Sequence, residues 1–337
     1  MKTFNRKITR AAIFMAVFAV CVLCCLLSRS AYSDLAKGTP IVTYHGLESM
    51  TAADYNAIAH TENLARTPLR YSLWTQIDNQ TLEAPGTGRK SEVSALLIYG
   101  DSRLVLPVTQ TLSAEDLNGC LLDRKTAINL FGTDKAAGCM LQYSGKEYMV
   151  RDIMDGPLDT VLFQVDATNP FALPNISVAG AANADTFSMR HGLSPTFVTN
   201  TGTYAEIAGI LSALPIAAAL LVVLHWLRGY CIAWRHYILR YGIISLLMLM
   251  LGVALIVFAT HLLPRSLIPS RWSDFGFWGD AFAQSKMQLI SFVTVPKFRP
   301  DLPLLYSLLQ SSLGLVGARL VVGLYSLRRC FCAHPNH

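Results

Sequence analysis

Long apolar runs alternate along this chain with segments that mix polar and apolar positions. Four runs are long enough to cross a bilayer, since a membrane-spanning helix needs about 20 predominantly apolar residues. Charged or polar residues bound each run, and Arg319 interrupts the last. The pattern therefore predicts four transmembrane α-helices, at 11–28, 207–227, 241–260 and 302–324.

The first run has two interpretations. A cleaved signal peptide would explain the small residues around Ala31 and Ser33. However, the apolar stretch is longer than the roughly 7–15 residues of a signal-peptide core. We therefore interpret it as an uncleaved helix, in which Cys21, Cys24 and Cys25 are small apolar packing residues.

The segment at 29–206 carries shorter periodic patterns and predicts a large α+β domain outside the membrane. A capping-box pattern at Thr51 predicts a short helix to about residue 60. Alternating apolar positions predict strands, and a turn at 100–102 predicts a hairpin between the second of them and 103–108. The stretch 169–185 is rich in Pro, Gly, Ala and Asn, which predicts a loop. The predicted strands are 70–78, 92–99, 160–166 and 196–201.

The middle of this domain has the most specific local pattern. Asp123 is a suitable N-cap for a helix at 124–131, and Gly132 stands where a helix ends in the left-handed conformation. Two strand-like runs follow, at 139–143 and 147–153, joined by a tight turn. The pattern predicts a strand end, a short helix and a hairpin.

The charges orient the chain. All 22 Asp and Glu residues fall in 29–206 or 261–301. In the other segments that flank the apolar runs, every charged residue is basic. This asymmetry matches the positive-inside rule and predicts a multi-pass protein of the cell membrane with both termini in the cytoplasm. The net charge of +6 then reflects topology, so no nucleic-acid partner is expected.

These predictions divide the chain into nine segments. They are a cytoplasmic N-terminus (1–10), the first helix (11–28), the extracytoplasmic domain (29–206), the second helix (207–227), a cytoplasmic loop (228–240), the third helix (241–260), an extracytoplasmic loop (261–301), the fourth helix (302–324) and a cytoplasmic tail (325–337).

Nine residues of the middle region match a known pattern: Thr126, Ala127, Leu130, Phe131, Gly132, Gly138, Gly145, Tyr148 and Val150. With them the region resembles the MacB-like periplasmic core domain of MacB/FtsX-type ABC transporter permeases. Their layout is also one helix, an outer domain and three further helices. The resemblance implies a permease-like subunit, a homo- or heterodimer, that pairs with a separate ATPase. It also implies mechanotransmission, in which helix motion rearranges the outer domains.

The cytoplasmic loop is the candidate docking surface for such an ATPase. Its basic and aromatic residues suit a segment at the membrane interface, and the docking candidates are Arg228, Trp234, Arg235 and Tyr237. The loop lacks the R-x-E-I-G-x-x-R-A-x-G pattern usual in the family. An alternative function is therefore a membrane-anchored sensor or scaffold whose outer domain binds an envelope partner.

Cys120 and Cys139 are the two cysteines of the outer segments. An oxidising compartment would permit a disulfide between them, and two buried free thiols are the alternative.

Trp278 ends an aromatic-rich stretch at 269–278. This stretch is interpreted either as an aromatic belt at the membrane interface or as a contact with the outer domain or a substrate.

Patterns for catalysis are absent from the sequence. It holds no G-x-x-x-x-G-K-[ST] loop, no H-E-x-x-H and no G-x-S-x-G motif. The Cys and His residues between Cys330 and His337 are closer together than structural zinc ligands usually are, and are interpreted as a frayed tail. We therefore expect no enzyme activity, no cofactor and no metal site.

Overall fold

The computed structural model describes most of the chain. The described residues are 2–47, 50, 52–106, 111–155, 159–166, 171–233, 242–243, 245–253, 276, 279–280, 283, 286–287, 290, 294–295 and 297–332. The α-helices are α1 (Lys2–Ala36), α2 (Ala52–Leu64), α3 (Arg124–Phe131), α4 (Ala181–His191), α5 (Thr201–Ala233) and α6 (Leu302–Cys332). The strands are β1 (Ile41–His45), β2 (Tyr71–Ala84), β3 (Arg89–Gly100), β4 (Gly119–Asp123), β5 (Met140–Tyr143), β6 (Lys146–Met154), β7 (Thr160–Gln164), β8 (Asn175–Ala179) and β9 (Phe197–Asn200).

The chain forms two compact units. The helical unit consists of Met1–Lys37, Thr203–Ser285 and Tyr306–His337, and the sheet unit of Gly38–Gly202 and Lys286–Leu305. The sheet unit thus includes the end of the predicted second extracytoplasmic loop as well as most of the segment between α1 and α5.

Three helices in the described part of the chain are long and apolar enough to cross a membrane, at Met15–Ala36, Thr201–His225 and Arg299–Leu324. They correspond to the predicted first, second and fourth spans. Of the predicted third span, residues 242–243 and 245–253 are helical, and the remainder lies outside the described residues. Three of the four predicted spans therefore correspond to helices that are long and apolar enough to cross a membrane.

Small residues line the contacts between the long helices of the helical unit. Cys21 and Cys24 are buried, and the Cys21 thiol lies 3.5 Å from the Gly317 carbonyl oxygen. The Ser28 hydroxyl donates to the carbonyl oxygen of Ser311 at 2.8 Å. Small side chains allow helix backbones to approach closely, which is how helices associate in lipid. The prediction that these cysteines are packing residues is confirmed for Cys21 and Cys24.

The closest helix contact is at a proline. Pro215 lies inside α5 and has no backbone N–H, so the carbonyl oxygen of Leu211 loses its usual helical partner. Gly314 of α6 lies against this oxygen, and a Cβ added to Gly314 would overlap it. The glycine therefore lets α6 approach the part of α5 where the helical ladder is interrupted.

The sheet unit is built on nine strands in the order β3-β7-β4-β6-β5-β2-β8-β1-β9, and β2 also pairs along β3. Because of that extra pairing, the six strands from β3 to β2 close into a ring, and β8, β1 and β9 extend from β2. The pairs β3–β7 and β4–β6 are parallel, whereas the hairpins β2–β3 and β5–β6 are antiparallel.

Both faces of the sheet are covered. Alternate strand residues point to opposite faces, and the larger core includes Leu73, Phe163 and Val178 on one face together with Phe187 of α4. The second core is centred on Trp74 on the other face, with Phe298 packed against it. The sheet thus forms an α+β domain, as predicted.

The short helix α3 begins and ends as predicted. One carboxylate oxygen of Asp123 accepts hydrogen bonds from the backbone N–H groups of Lys125 and Thr126 at 3.0 and 3.3 Å. The other accepts from the N–H of Thr160 at 3.1 Å, so this side chain also fastens the start of β7. Gly132 ends the helix with φ 75°, in the left-handed region.

Two local predictions are wrong. The predicted loop at 169–185 contains β8 and the start of α4. Ile176 and Val178 point into the core between the strand's polar residues, and this two-residue alternation is too short to stand out against the Gly and Asn around it. The predicted hairpin between 92–99 and 103–108 is also wrong, because β3 pairs with β2 and β7, and Ser102–Leu104 is a short 3-10 helix.

Candidate functional site

A pocket of about 660 Å³ opens in the sheet unit beside α2. Its other walls are the loop after β1 and the loop between α4 and β9. Apolar side chains supply much of the lining, including Met50, Ile58 and Leu193. This volume lies within the roughly 300–1,000 Å³ typical of small-ligand sites.

A buried charge cluster stands at one wall of the pocket. Glu62 is 2% exposed, and its carboxylate accepts hydrogen bonds from Arg190 at 2.6 Å and from Leu69 N–H at 2.8 Å. His191, which lines the pocket, lies 2.9 Å from the same carboxylate through Nε2. Burial alone would raise the pKa of Glu62, but these hydrogen bonds outweigh it and hold the pKa below its ordinary value. The carboxylate is therefore ionised and fixes the orientation of the His191 ring.

The two loops of the pocket are fastened to each other at Gly46. The Thr196 hydroxyl donates to the Gly46 carbonyl oxygen at 3.0 Å, and the Thr196 N–H donates to the His45 carbonyl oxygen at 2.8 Å. Gly46 has φ 66°, and a Cβ there would lie 2.5 Å from the Thr196 hydroxyl oxygen. Only glycine fits this close approach without strain.

The chemistry of the pocket suits reversible binding. Asp54, Thr61 and Ser194 place polar atoms beside the apolar side chains, so the lining is mixed, with slightly more polar than apolar surface. No group of three or more His, Cys, Asp or Glu residues able to hold a metal ion occurs in the described part of the chain.

The predicted disulfide is not present, since Cys120 and Cys139 are both free thiols in the structure. Cys120 of β4 lies opposite Val150 of β6 in the parallel pairing of these two strands. At the other edge of β6, the Val150 N–H donates to the Cys139 carbonyl oxygen. The two cysteines therefore lie two strand spacings apart, about 9.5 Å. A disulfide requires Cα atoms roughly 4.4–6.8 Å apart, so β6 separates them too widely.

We expect both thiols to stay reduced and Cys120 to be unreactive while the sheet is folded. Burial raises the pKa of the Cys120 thiol to about 12, with a smaller contribution from the Asp116 carboxylate, so almost no thiolate forms at neutral pH. Maleimide labelling followed by mass spectrometry should modify Cys120 only after denaturation, and reductant should not change the melting temperature. A melting temperature lowered by reductant, and lowered equally by Cys139→Ser, would show that the bond exists.

The predicted docking residues are only partly described. Arg228 lies in α5 with an exposed side chain. Trp234, Arg235 and Tyr237 lie outside the described residues, as does the aromatic stretch 269–278 except Gly276. The docking surface therefore stays a prediction.

Sequence reasoning missed the pocket and its charged wall. Glu62 and His191 are 129 positions apart, and neither belongs to a recognisable motif. The signal available in the sequence was a charged residue, Glu62, within the stretch that forms α2. A charged residue alone does not identify the residue with which it pairs.

No protein-family model matches the chain, and no curated protein matches it. Two solved structures are similar in part. The periplasmic region of MacB from Actinobacillus actinomycetemcomitans is 11% identical with a TM-score of 0.38, over 50% of this chain and 94% of that one. The extracellular domain of the noncanonic ABC-type transporter YknZ from Gram-positive bacteria is 13% identical with a TM-score of 0.36, over 48% of this chain and 98% of that one.

Proposed function

We propose that this chain is a permease-like membrane subunit of a MacB/FtsX-type ABC system, which works with a separate ATPase by mechanotransmission or export. In this proposal it is a multi-pass protein of the cell membrane with both termini in the cytoplasm, and it acts as a homo- or heterodimer. The chain binds no cofactor of its own and is not an enzyme.

The supporting observation is the direct connection of the long helices to the sheet along the chain. Four residues separate α1 from β1, and α5 follows β9 without an intervening residue. The 3-10 helix Arg299–Asp301, part of the sheet unit, is likewise followed at once by α6. A subunit that converts helix motion into rearrangement of an outer domain needs short connections of this kind.

Hydrogen bonds at Thr201 strengthen this support. The Thr201 hydroxyl accepts from the Ile41 N–H at 2.8 Å and lies 3.2 Å from the Ile41 carbonyl oxygen, to which it donates. The first residue of β1 is therefore bound to the residue that follows β9. In the proposed mechanism, movement of α1 or α5 is therefore transmitted to both β1 and β9.

The alternative function is a membrane-anchored sensor or scaffold whose outer domain binds an envelope component. The pocket favours it, because a cavity beside the fixed His191 ring offers a place for a ligand that a purely mechanical domain does not need. This alternative requires no ATPase and keeps the same membrane topology.

Affinity purification of the full chain in mild detergent tests the proposal. We expect an ATP-binding protein to be retrieved, and Trp234→Ala combined with Tyr237→Ala to reduce its recovery about tenfold or more, because aromatic anchors carry much of the energy of an interface. Tyr306→Ala, which removes an exposed ring of α6, is the control and should leave recovery unchanged.

Coupling gives a second measurement. Because coupling free energy is reciprocal for binding, a ligand of the outer domain should change the affinity of the partner for nucleotide. If purification yields an envelope component and no nucleotide-binding protein, the permease function is wrong and the sensor or scaffold function is supported instead.

A further inference from the structure

A stack of three aromatic rings joins separate parts of the sheet unit. The His45 imidazole lies between the rings of Phe197 and Phe298, with centroid distances of 4.3 and 5.2 Å and interplanar angles of 11° and 3°. Trp74 meets both His45 and Phe298 edge-on, at 5.8 and 5.3 Å. His45 is the central ring, and its side chain is completely buried.

The segment 297–301, which we call the strap, is held on the sheet by more than this stack. The Arg299 N–H donates to the Gln76 side-chain oxygen at 2.7 Å, and the Arg299 guanidinium donates to the Ser94 hydroxyl at 3.0 Å. The Asp301 carboxylate accepts from the Phe298 N–H at 3.3 Å. The strap is thus an ordered element seated on the second core, and α6 begins at the next residue.

The hydrogen bonds of His45 fix its tautomer. The Asn175 amide nitrogen donates to the Trp74 carbonyl oxygen at 3.2 Å, so the amide oxygen is the atom that faces His45. That oxygen lies 3.1 Å from Nδ1, which must therefore carry the proton. Nε2 is left with a lone pair and, among the described residues, has no hydrogen-bond partner.

A second proton would be poorly accommodated at Nε2. It would create a buried cation and a buried N–H donor with no acceptor, and each of these costs free energy. Burial lowers the pKa of His45 to about 4, and the nearby positive charge of Lys297 acts in the same direction, against the hydrogen bond that His45 donates to Asn175. The closed stack therefore requires the neutral imidazole.

We propose that His45 is a proton-operated latch: the neutral ring holds the strap on the sheet, and protonation at Nε2 releases it. The rings that face His45 from β2 and β9 and the amide from β8 are uncharged, and Lys297 is the charged group next to it on the strap. The other charged side chains of the strap, Arg299 and Asp301, are bound to the sheet and to the strap itself.

The sign of the pH effect follows from proton linkage. A released His45 titrates near its ordinary pKa of 6.5, and the latched ring at about 4. Between these values the released state binds more protons, so latching weakens as the pH falls. At His45 alone this changes the equilibrium between latched and released strap by about tenfold per pH unit and by about 300-fold in total. Burial raises the pKa of the Asp301 carboxyl of the strap to about 6, so below about pH 6 the latched state holds a proton that the released state loses, and this opposes the effect of His45. The full effect of His45 therefore appears when Asp301 is replaced by asparagine.

Hydrogen exchange of the full chain in detergent, measured from pH 7.5 to pH 4.5 and corrected for intrinsic rates, tests the latch. The amide of Arg299 should lose protection as the pH falls from 7.5 to about 6, and should continue to lose it down to pH 4.5 when Asp301→Asn removes the opposing carboxyl, whereas the amides of β4 and β7, in the ring of strands, should not. His45→Phe keeps a ring in the stack and should abolish the pH dependence. His60→Gln, at an exposed histidine of α2, is the matched control and should retain it.

Two further variants separate the latch from other causes. Lys297→Met removes the neighbouring charge without touching the stack and should raise the pKa of the latched ring, so the total pH-dependent change in release should become smaller. This measurement does not depend on whether His45→Phe folds. Asp301→Asn removes the opposing carboxyl and should make release in acid stronger than in the wild-type chain. Constant protection of Arg299 in the Asp301→Asn chain, stronger protection there in acid, or the same pH dependence in a folded chain that also carries His45→Phe would each overturn the proposal.

Discussion

Replacing Trp74 with alanine should lower the free energy of unfolding of the sheet unit by about 3–5 kcal/mol, the range for removing a large buried aromatic side chain. Trp74 is 1% exposed at the centre of the second core. Its indole N–H also donates to the Ser177 hydroxyl at 3.0 Å, so the substitution removes one of the two hydrogen bonds of that buried hydroxyl and leaves the one to Thr43. The loss therefore combines a cavity with an unmade hydrogen bond.

Hydrogen exchange at the amides of β2 and β3 in the full chain measures this effect, because the slowest amides report the most global opening. Trp74→Phe retains most of the volume and should cost less. Phe171→Ala is a control for removing an aromatic ring that is 47% exposed, and it should stay within about 0.5 kcal/mol. Equal losses for Trp74→Ala and Phe171→Ala would contradict the packing described for the second core.

Gly314→Ala should give the second large loss, in the helical unit. The added methyl group would overlap the Leu211 carbonyl oxygen, which is backbone and cannot move aside as a flexible side chain could. Overpacking of this kind costs about 1–3 kcal/mol when the surroundings must shift. Thermal melting of the full chain in detergent, followed by size-exclusion chromatography, should show a melting temperature several degrees lower.

Gly323→Ala is the matched control on the same helix, since a Cβ there meets nothing within 4 Å. It should leave the melting temperature unchanged or raise it, because alanine favours the helix by about 1 kcal/mol over glycine. If both variants melted at the wild-type temperature, the close approach of α6 to Leu211 would be wrong.

Local chemistry made part of the fold predictable. The cap at Asp123 and the end at Gly132 depend on residues within one helix, so the sequence alone identifies them. The membrane-length helices were equally visible, since a long apolar run needs no information about its partners. Predictions that depended on composition over a whole stretch, such as the loop at 169–185, were wrong where a buried strand carried only two inward apolar residues.

Sites built from distant residues were not predictable. His45 owes its properties to Asn175, 130 positions away, and to rings from β9 and the strap. The disulfide prediction was wrong for a related reason: the chain spacing between Cys120 and Cys139 carries no information about the strand that lies between them. Strand order determines both outcomes, and it depends on packing across the whole sheet.

The pairing of β2 with β3 also affects how the sheet could associate with the sheet of another chain. Because the six strands from β3 to β2 form a ring, β9 alone among the nine described strands has a neighbour on one side only. Exposed sheet edges offer unpaired N–H and C=O groups to other chains and are a common route to aggregation. Here that edge is four residues long and ends where α5 begins, so β9 itself presents very little backbone on which a second sheet could grow.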